Sequence, residues 1–172
     1  IATQGDLDEW ETDNILEATK WLNRKLRNLS PSLVLDDQFC RELHKRMFNE
    51  TWVWAGKYRL SDKNIGCDYR QVSIKLRNLL DDVSYWIDHG VYPMVHIAVR
   101  FHHLLLLIHP FPNGNGRHAR MMTDALLMAQ GVERFRWGAT NLVPQGEVRT
   151  QYITALRAAD AGDYTQLIDF VQ

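Results

Sequence analysis

Residues 109–120 read His-Pro-Phe-Pro-Asn-Gly-Asn-Gly-Arg-His-Ala-Arg. In that spacing these residue types suit chemistry on a phosphate ester. An apolar run, Leu104 to Ile108, leads in and a second helical run, Met121 to Gln130, leads out. The spacing therefore predicts a polar loop that ends on a helix N-terminus. Such a terminus carries unpaired backbone N–H groups and a partial positive charge, and is a ready anion site. Gly114 and Gly116 let a ligand approach the backbone closely. Arg117 and Arg120 are three apart, share a helix face and offer a fork to phosphate oxygens. His109 stands at the loop entrance, where a proton acceptor reaches a substrate hydroxyl. Each piece also has an ordinary reading, since Gly-Asn-Gly is a common turn and helical arginines are usually solvated. Seven typed positions together between two helices weigh against that reading.

The elements that must position this stretch are readable in outline. Residues 1–11 are polar and acidic, and an extended arm is expected there, followed by a single domain over 12–172. From Thr12 or Asp13, a good N-cap, a helix is expected to about Leu29, with Ile15, Leu22, Leu26 and Leu29 on one face. Ser30-Pro31 stops it. A second helix runs from Asp36 or Asp37 to about Glu50, with Leu35, Phe39 and Leu43 inward and Arg41, Lys45 and Arg46 solvated. Residues 51–59 are aromatic and lack a helical period. Asp62-Lys63-Asn64 followed by Ile65-Gly66 suggests a turn between two short extended arms, a hairpin.

Residues 72–89 form an amphipathic helix with Gly90 as its C′ residue. Pro93 opens the next, which is apolar on several sides and reads as the central helix that delivers His109. Beyond the loop a helix runs to Gly131. Residues 132–143 are loop-like, Pro144 starts a helix to about Asp160, and Asp163 caps a short last one. The total is about seven or eight helices and one hairpin, an all-α class.

Composition limits the function classes. The chain has 172 residues, enough for one domain with a real core. A net charge of −1 gives no global drive toward nucleic acid or an anionic membrane. No apolar run is long enough to cross a bilayer, no signal peptide is visible, and the first residue is Ile1 rather than Met. Cys40 and Cys67 lack metal-type spacing and fit idle thiols in the cytoplasm. His96, His102 and His103 read as packing residues rather than a zinc set, and His118 as solvent-facing.

The pattern His109-Pro110-Phe111-x-x-Gly114-Asn115-Gly116-Arg117-x-x-Arg120 resembles the signature of the Fic (Fido) family, with mobile mystery protein B as the nearest subfamily. The resemblance implies a Fic-type helical bundle and a protein adenylyltransferase that moves AMP from ATP to a Ser, Thr or Tyr hydroxyl, using Mg²⁺. It implies His109 as general base, Phe111 as the apolar anchor of the loop, Gly114, Asn115 and Gly116 as the anion-binding turn, and Arg117 and Arg120 on the phosphates. It also implies a β-hairpin flap over the site, here Leu60, Ser61, Asp62, Lys63, Asn64 and Ile65, that pairs with the backbone of a target protein. Tyr152 is a guess for a base contact.

Asn113 departs from the pattern, because the family usually places a Mg²⁺-binding Asp or Glu there. Three readings stay open: weaker metal binding with ATP phosphates carrying most of it, a different nucleotide geometry or donor, or nucleotide binding without turnover. The functional alternatives are accordingly phosphoryl transfer with the nucleotide reversed, and a non-catalytic nucleotide- or partner-binding module. Many Fic proteins carry an inhibitory Ser/Thr-x-x-x-Glu-Gly/Asn helix whose Glu pairs with the second motif arginine. No such pattern occurs here, which leaves constitutive competence or inhibition by a separate antitoxin-like protein.

Overall fold

The computed structural model describes residues 4–27, 30–139 and 144–172, with the side chains of residues 4–11, 26 and 31 outside the description. Leu29, the first three residues of the expected arm and residues 140–143 of the expected loop lie outside the described residues. Among those described there are eight α-helices: α1 (Gln4–Leu26), α2 (Pro31–Val34), α3 (Asp37–Phe48), α4 (Val72–Asp88), α5 (Met94–Ile108), α6 (Asn115–Ala129), α7 (Gln145–Asp160) and α8 (Thr165–Val171). A 3-10 turn at Tyr69–Gln71 precedes α4. None of these helices is long and apolar enough to cross a membrane.

The helical signals act as the sequence suggests. Asp36 caps α3 by accepting the Phe39 N–H, and α4 stops at Gly90, which takes a left-handed φ of 57°. One expectation fails at the N-terminus. Residues 4–11 continue α1 instead of forming an extended arm. The reason is local, since this stretch lacks Pro and places Asp6, Asp8 and Glu9 near a helix start, where carboxylates offset the dipole. Asn14 then joins α1 to the end of α3. It is 4% exposed, donates to the Arg46 carbonyl and accepts the Glu50 N–H.

Helices α5 and α6 pack on each other, α4 lies on α5, and α1 lies on α3. The main core is built from Leu43, Met47, Phe48, Leu76, Leu80, Phe101, Leu105, Met122 and Leu126, all buried. A second cluster, Val99, Ala155, Ala159, Leu167 and Val171, fixes the α7–α8 pair against α5. His103 reinforces that seam, with Nε2 2.7 Å from Asp160 Oδ1 and Nδ1 2.8 Å from the Tyr164 hydroxyl.

The expected β-hairpin does not form. Residues 57–68 are a loop, and no strand occurs among the described residues. The cause is Arg59, only 2% exposed. Its backbone N–H donates to Pro110 O at 3.0 Å. Its guanidinium donates to His109 O at 2.6 Å, Ser61 O at 3.0 Å, Ile108 O at 3.2 Å and the Cys67 carbonyl. A side chain therefore sits where a second strand would pair, and the two arms of the loop bond to Arg59 and to the end of α5 rather than to each other. Leu60 and Ile65 at the loop tip are 88% and 64% exposed.

Arg59→Met removes the guanidinium donors from the part-buried His109, Ser61 and Cys67 carbonyls and one of the donors from Ile108. It should lower unfolding stability by about 3 kcal/mol in a urea titration. Arg59→Lys should recover only part of this, because an ammonium cannot span the same fork. A Met variant with wild-type stability would show that water or a local shift serves those carbonyls.

Candidate active site

Helix α5 ends on His109, which adopts a left-handed backbone at φ 52°, ψ 63°. For a residue with a Cβ this conformation is strained and persists only when its surroundings enforce it. Two contacts do so. Arg59 holds the His109 carbonyl, and Gly66 lies so close that a Cβ on it would sit 2.7 Å from the His109 Cβ. The imidazole is partly buried. Burial first, then the Arg59 and Lys63 charges, push its pKa below the ordinary histidine value. It is thus a neutral ring at neutral pH, able to take a proton.

The following loop is built from the inside. Phe111 is fully buried and stacks on His44 with ring centroids 3.7 Å apart. Asn115 clamps it, since Asn115 Oδ1 accepts the Phe111 N–H at 2.9 Å and Nδ2 donates to the Phe111 carbonyl at 2.8 Å. Both ends of the Asn115 amide are thereby used, and any part it takes in anion binding falls to its backbone N–H. His44 Nδ1 accepts the Gly56 N–H, so Nε2 carries the proton and donates to the Asn113 carbonyl at 3.0 Å. Burial lowers the His44 pKa to about 4.

Gly114 begins α6 at φ 76° and faces Phe48, which an added Cβ would meet at 2.6 Å. Its N–H is already bonded to Asn113 Oδ1 at 2.7 Å. No side chain caps α6, so the first-turn N–H groups of Asn115 and Gly116 have no intrahelical acceptor. Gly116 is exposed with open space around it. The Arg117 guanidinium lies 5.1 Å from the Phe48 ring centroid, and Arg120 lies 4.6 Å from that of Tyr152 and 5.6 Å from that of Trp137. A cavity of about 690 Å³ opens beside Arg120, lined also by Trp137, Arg149, Tyr152 and Phe170. Tyr152, the guessed base contact, has its hydroxyl 2.6 Å from His102 Nε2.

The structure thus brings His109, Phe111, Asn113, Gly114, Asn115, Gly116, Arg117 and Arg120 into one turn and the helix it starts. The loop Leu60 to Ile65 stands beside His109 through Arg59 and Gly66. His118 is a correction. It is fully buried rather than solvent-facing, with Nε2 donating to the Cys40 carbonyl at 2.8 Å and burial holding its pKa near 3. On α6 it lies between Asn115 and Met122, on the core face rather than the outer one. Sequence reasoning missed Arg59 and His44. His44 had a signal, a polar residue at the inward spacing of Cys40, Leu43 and Met47; Arg59 had none.

For Mg²⁺ the donors present are poor. Residues 109–116 hold no carboxylate, and no group of three His, Cys, Asp or Glu side chains able to hold a metal occurs among the described residues. The Asn113 amide oxygen is neutral and already accepts the Gly114 N–H. This set does not fit a resident divalent cation.

Residues 34–127, more than half of the chain, match the model of the Fic/DOC family. A relative from Nematostella vectensis, named "Protein adenylyltransferase Fic", is 28% identical over 169 residues, covering 96% of this chain and 38% of its own length. The chain thus spans well under half of that relative. The solved structure of Caenorhabditis elegans Fic-1 (residues 134–508) superposes with a TM-score of 0.75 at 23% identity, over 99% of this chain and 50% of that one. BepC from Bartonella tribocorum, solved with bound AMPPNP, gives 0.73 at 20% identity over 99% and 87%. With a matching family model across the site and the same fold end to end, this chain belongs to the Fic/DOC family.

Proposed function

We propose that the chain is a protein adenylyltransferase that moves AMP from ATP to a Ser, Thr or Tyr hydroxyl of a target protein. The observation that carries this reading is one juxtaposition: a strained, neutral His109 one short loop before a helix N-terminus that no side chain caps and that bears two arginines. The name of the Nematostella vectensis relative supports it. In the proposed step the His109 imidazole accepts the hydroxyl proton, the hydroxyl oxygen bonds to the α-phosphorus, and the bond to pyrophosphate breaks. The Asn115 and Gly116 N–H groups, with Arg117 and Arg120, offset the charge on the phosphates.

Mg²⁺ enters with the nucleotide as part of the substrate, and Asn113 is at most one weak, neutral contact to it. The exposed loop from Leu60 to Ile65 is the proposed docking edge for the target backbone, through groups that Arg59 leaves free. The domain we propose for this activity is residues 12–172, with residues 4–11 extending its first helix. Action in the cytoplasm fits two free thiols. Control by a separate antitoxin-like protein fits an Arg120 that rests on aromatic rings. Asn113 favours one rival, a module that binds nucleotide without turnover.

Incubation with ATP labelled on the α-phosphate should label the protein itself, and His109→Ala should abolish the label. An adduct with the mass of phosphate would replace adenylylation by phosphoryl transfer, and no adduct on protein or target would favour the binding module. Asn113→Asp adds a charged ligand and should raise the rate at low Mg²⁺ at least several-fold. Equal rates across a Mg²⁺ titration would remove any metal contact from this position. The His109 pKa is lowered, so the neutral base persists as pH falls below the ordinary histidine range and is lost only at more acid pH. Lys63→Glu replaces a repelling cation by an anion and should move the His109 titration, followed by NMR of the ring protons, to higher pH. No upward movement would show that Lys63 does not reach the ring.

A further inference from the structure

Trp137 and Tyr152 lie far along the chain from the 109–120 stretch, and no motif contains them, yet both meet Arg120. The Arg120 guanidinium lies over both rings. Each ring is itself held. The Trp137 indole N–H donates to both carboxylate oxygens of Asp124, at 3.1 and 3.2 Å, and Asp124 stands one turn beyond Arg120 on α6.

The backbone under Trp137 is equally constrained. Trp137 is left-handed at φ 52°, Gly138 follows at φ 77°, and a Cβ on Gly138 would meet Phe170 at 2.8 Å. On the other side the Tyr152 hydroxyl contacts His102, whose ring also packs on Trp137 at 4.6 Å. Burial keeps His102 neutral, with a pKa near 3, so it adds no cation to repel Arg120.

A guanidinium held over ring faces keeps its N–H fork at the rim, available to phosphate oxygens. It also gives up its rotamer freedom on folding rather than on binding, which is how pre-organisation raises affinity. We propose that Trp137 and Tyr152 are positioning residues: they clamp Arg120 in the orientation that meets the nucleotide's phosphates, and Asp124 and His102 hold the clamp. The proposal rests on the reading of Arg120 as a phosphate contact.

The test is calorimetric titration of the full chain with MgATP, for wild type, Arg120→Ala, Trp137→Leu, Trp137→Phe and the double variant Arg120→Ala/Trp137→Leu. Arg120→Ala and Trp137→Leu should each weaken binding about tenfold. The double variant should bind no more weakly than Arg120→Ala alone, since the two act through one contact. Trp137→Phe keeps a ring face and should recover most of the affinity. Wild-type affinity in Trp137→Leu would overturn the clamp while leaving the function reading intact. So would a double variant showing the product of both losses, which would make Trp137 a direct or independent contributor. Wild-type affinity in Arg120→Ala would overturn both readings. Should Trp137→Leu fail to fold by circular dichroism, Tyr152→Leu takes its place under the same outcomes.

Discussion

The site depends on how α5 is brought to an end. A helix leaves its last carbonyls without intrahelical partners, and here Ile108 is buried, so water is a poor substitute there. Arg59 supplies the donors, and its charge also opposes the negative end of the helix dipole. The same guanidinium bonds Ser61 and Cys67 and so ties the exposed loop to the site. In many base-assisted sites a third side chain orients the base through its ring. Here, among the described residues, no hydrogen bond holds the His109 imidazole. Its backbone is fixed instead, and both ring nitrogens stay free for proton exchange.

A second constraint is electrostatic. His44, His102 and His118 surround the loop and α6, and burial keeps all three neutral. Each therefore works as a fixed hydrogen-bonding or stacking group, and none adds a competing cation. Arg59 spends its donors on carbonyls. The positive charge offered to an anion then comes from Arg117, Arg120 and the α6 N-terminus, with Lys63 acting on His109 and Arg149 lining the cavity beside Arg120. Fixed groups of this kind need no rearrangement when charge develops.

How much of this could be read from the chain follows from the range of each interaction. Helix signals are local: the Asp36 cap, Gly90 and the spacing of Leu76, Leu80 and Val83 act within a few residues, so the helices are legible. The 109–120 turn is legible for the same reason, because its clamp, Asn115 on Phe111, spans four residues. Arg59 binds carbonyls about fifty residues away, and nothing near it in sequence announces that. It also explains why a turn-like sequence at 62–66 did not become a hairpin. Strand pairing is a contest for backbone partners, and a buried guanidinium took them. His118 was misjudged because a position left variable by a motif was read as exposed, whereas helix geometry sends it back toward α3. The clamp on Arg120 was out of reach, since Trp137 and Tyr152 come from separate segments.

Asn113 shows where shape and charge separate. Its amide oxygen accepts the Gly114 N–H and so shapes the first turn of α6. A carboxylate at the same position would make the same bond, and would be more favourable at a helix N-terminus. The turn geometry therefore does not demand an amide. What the amide changes is the field: it leaves the turn itself without a negative group to counter the two arginines and share a cation with the phosphates. Such a site is well suited to hold an anion, and it leaves the neutralisation of developing charge to Arg117, Arg120 and whatever cation the nucleotide brings. Holding and transferring then make different demands on the same turn, and the residue at 113 decides how far they part.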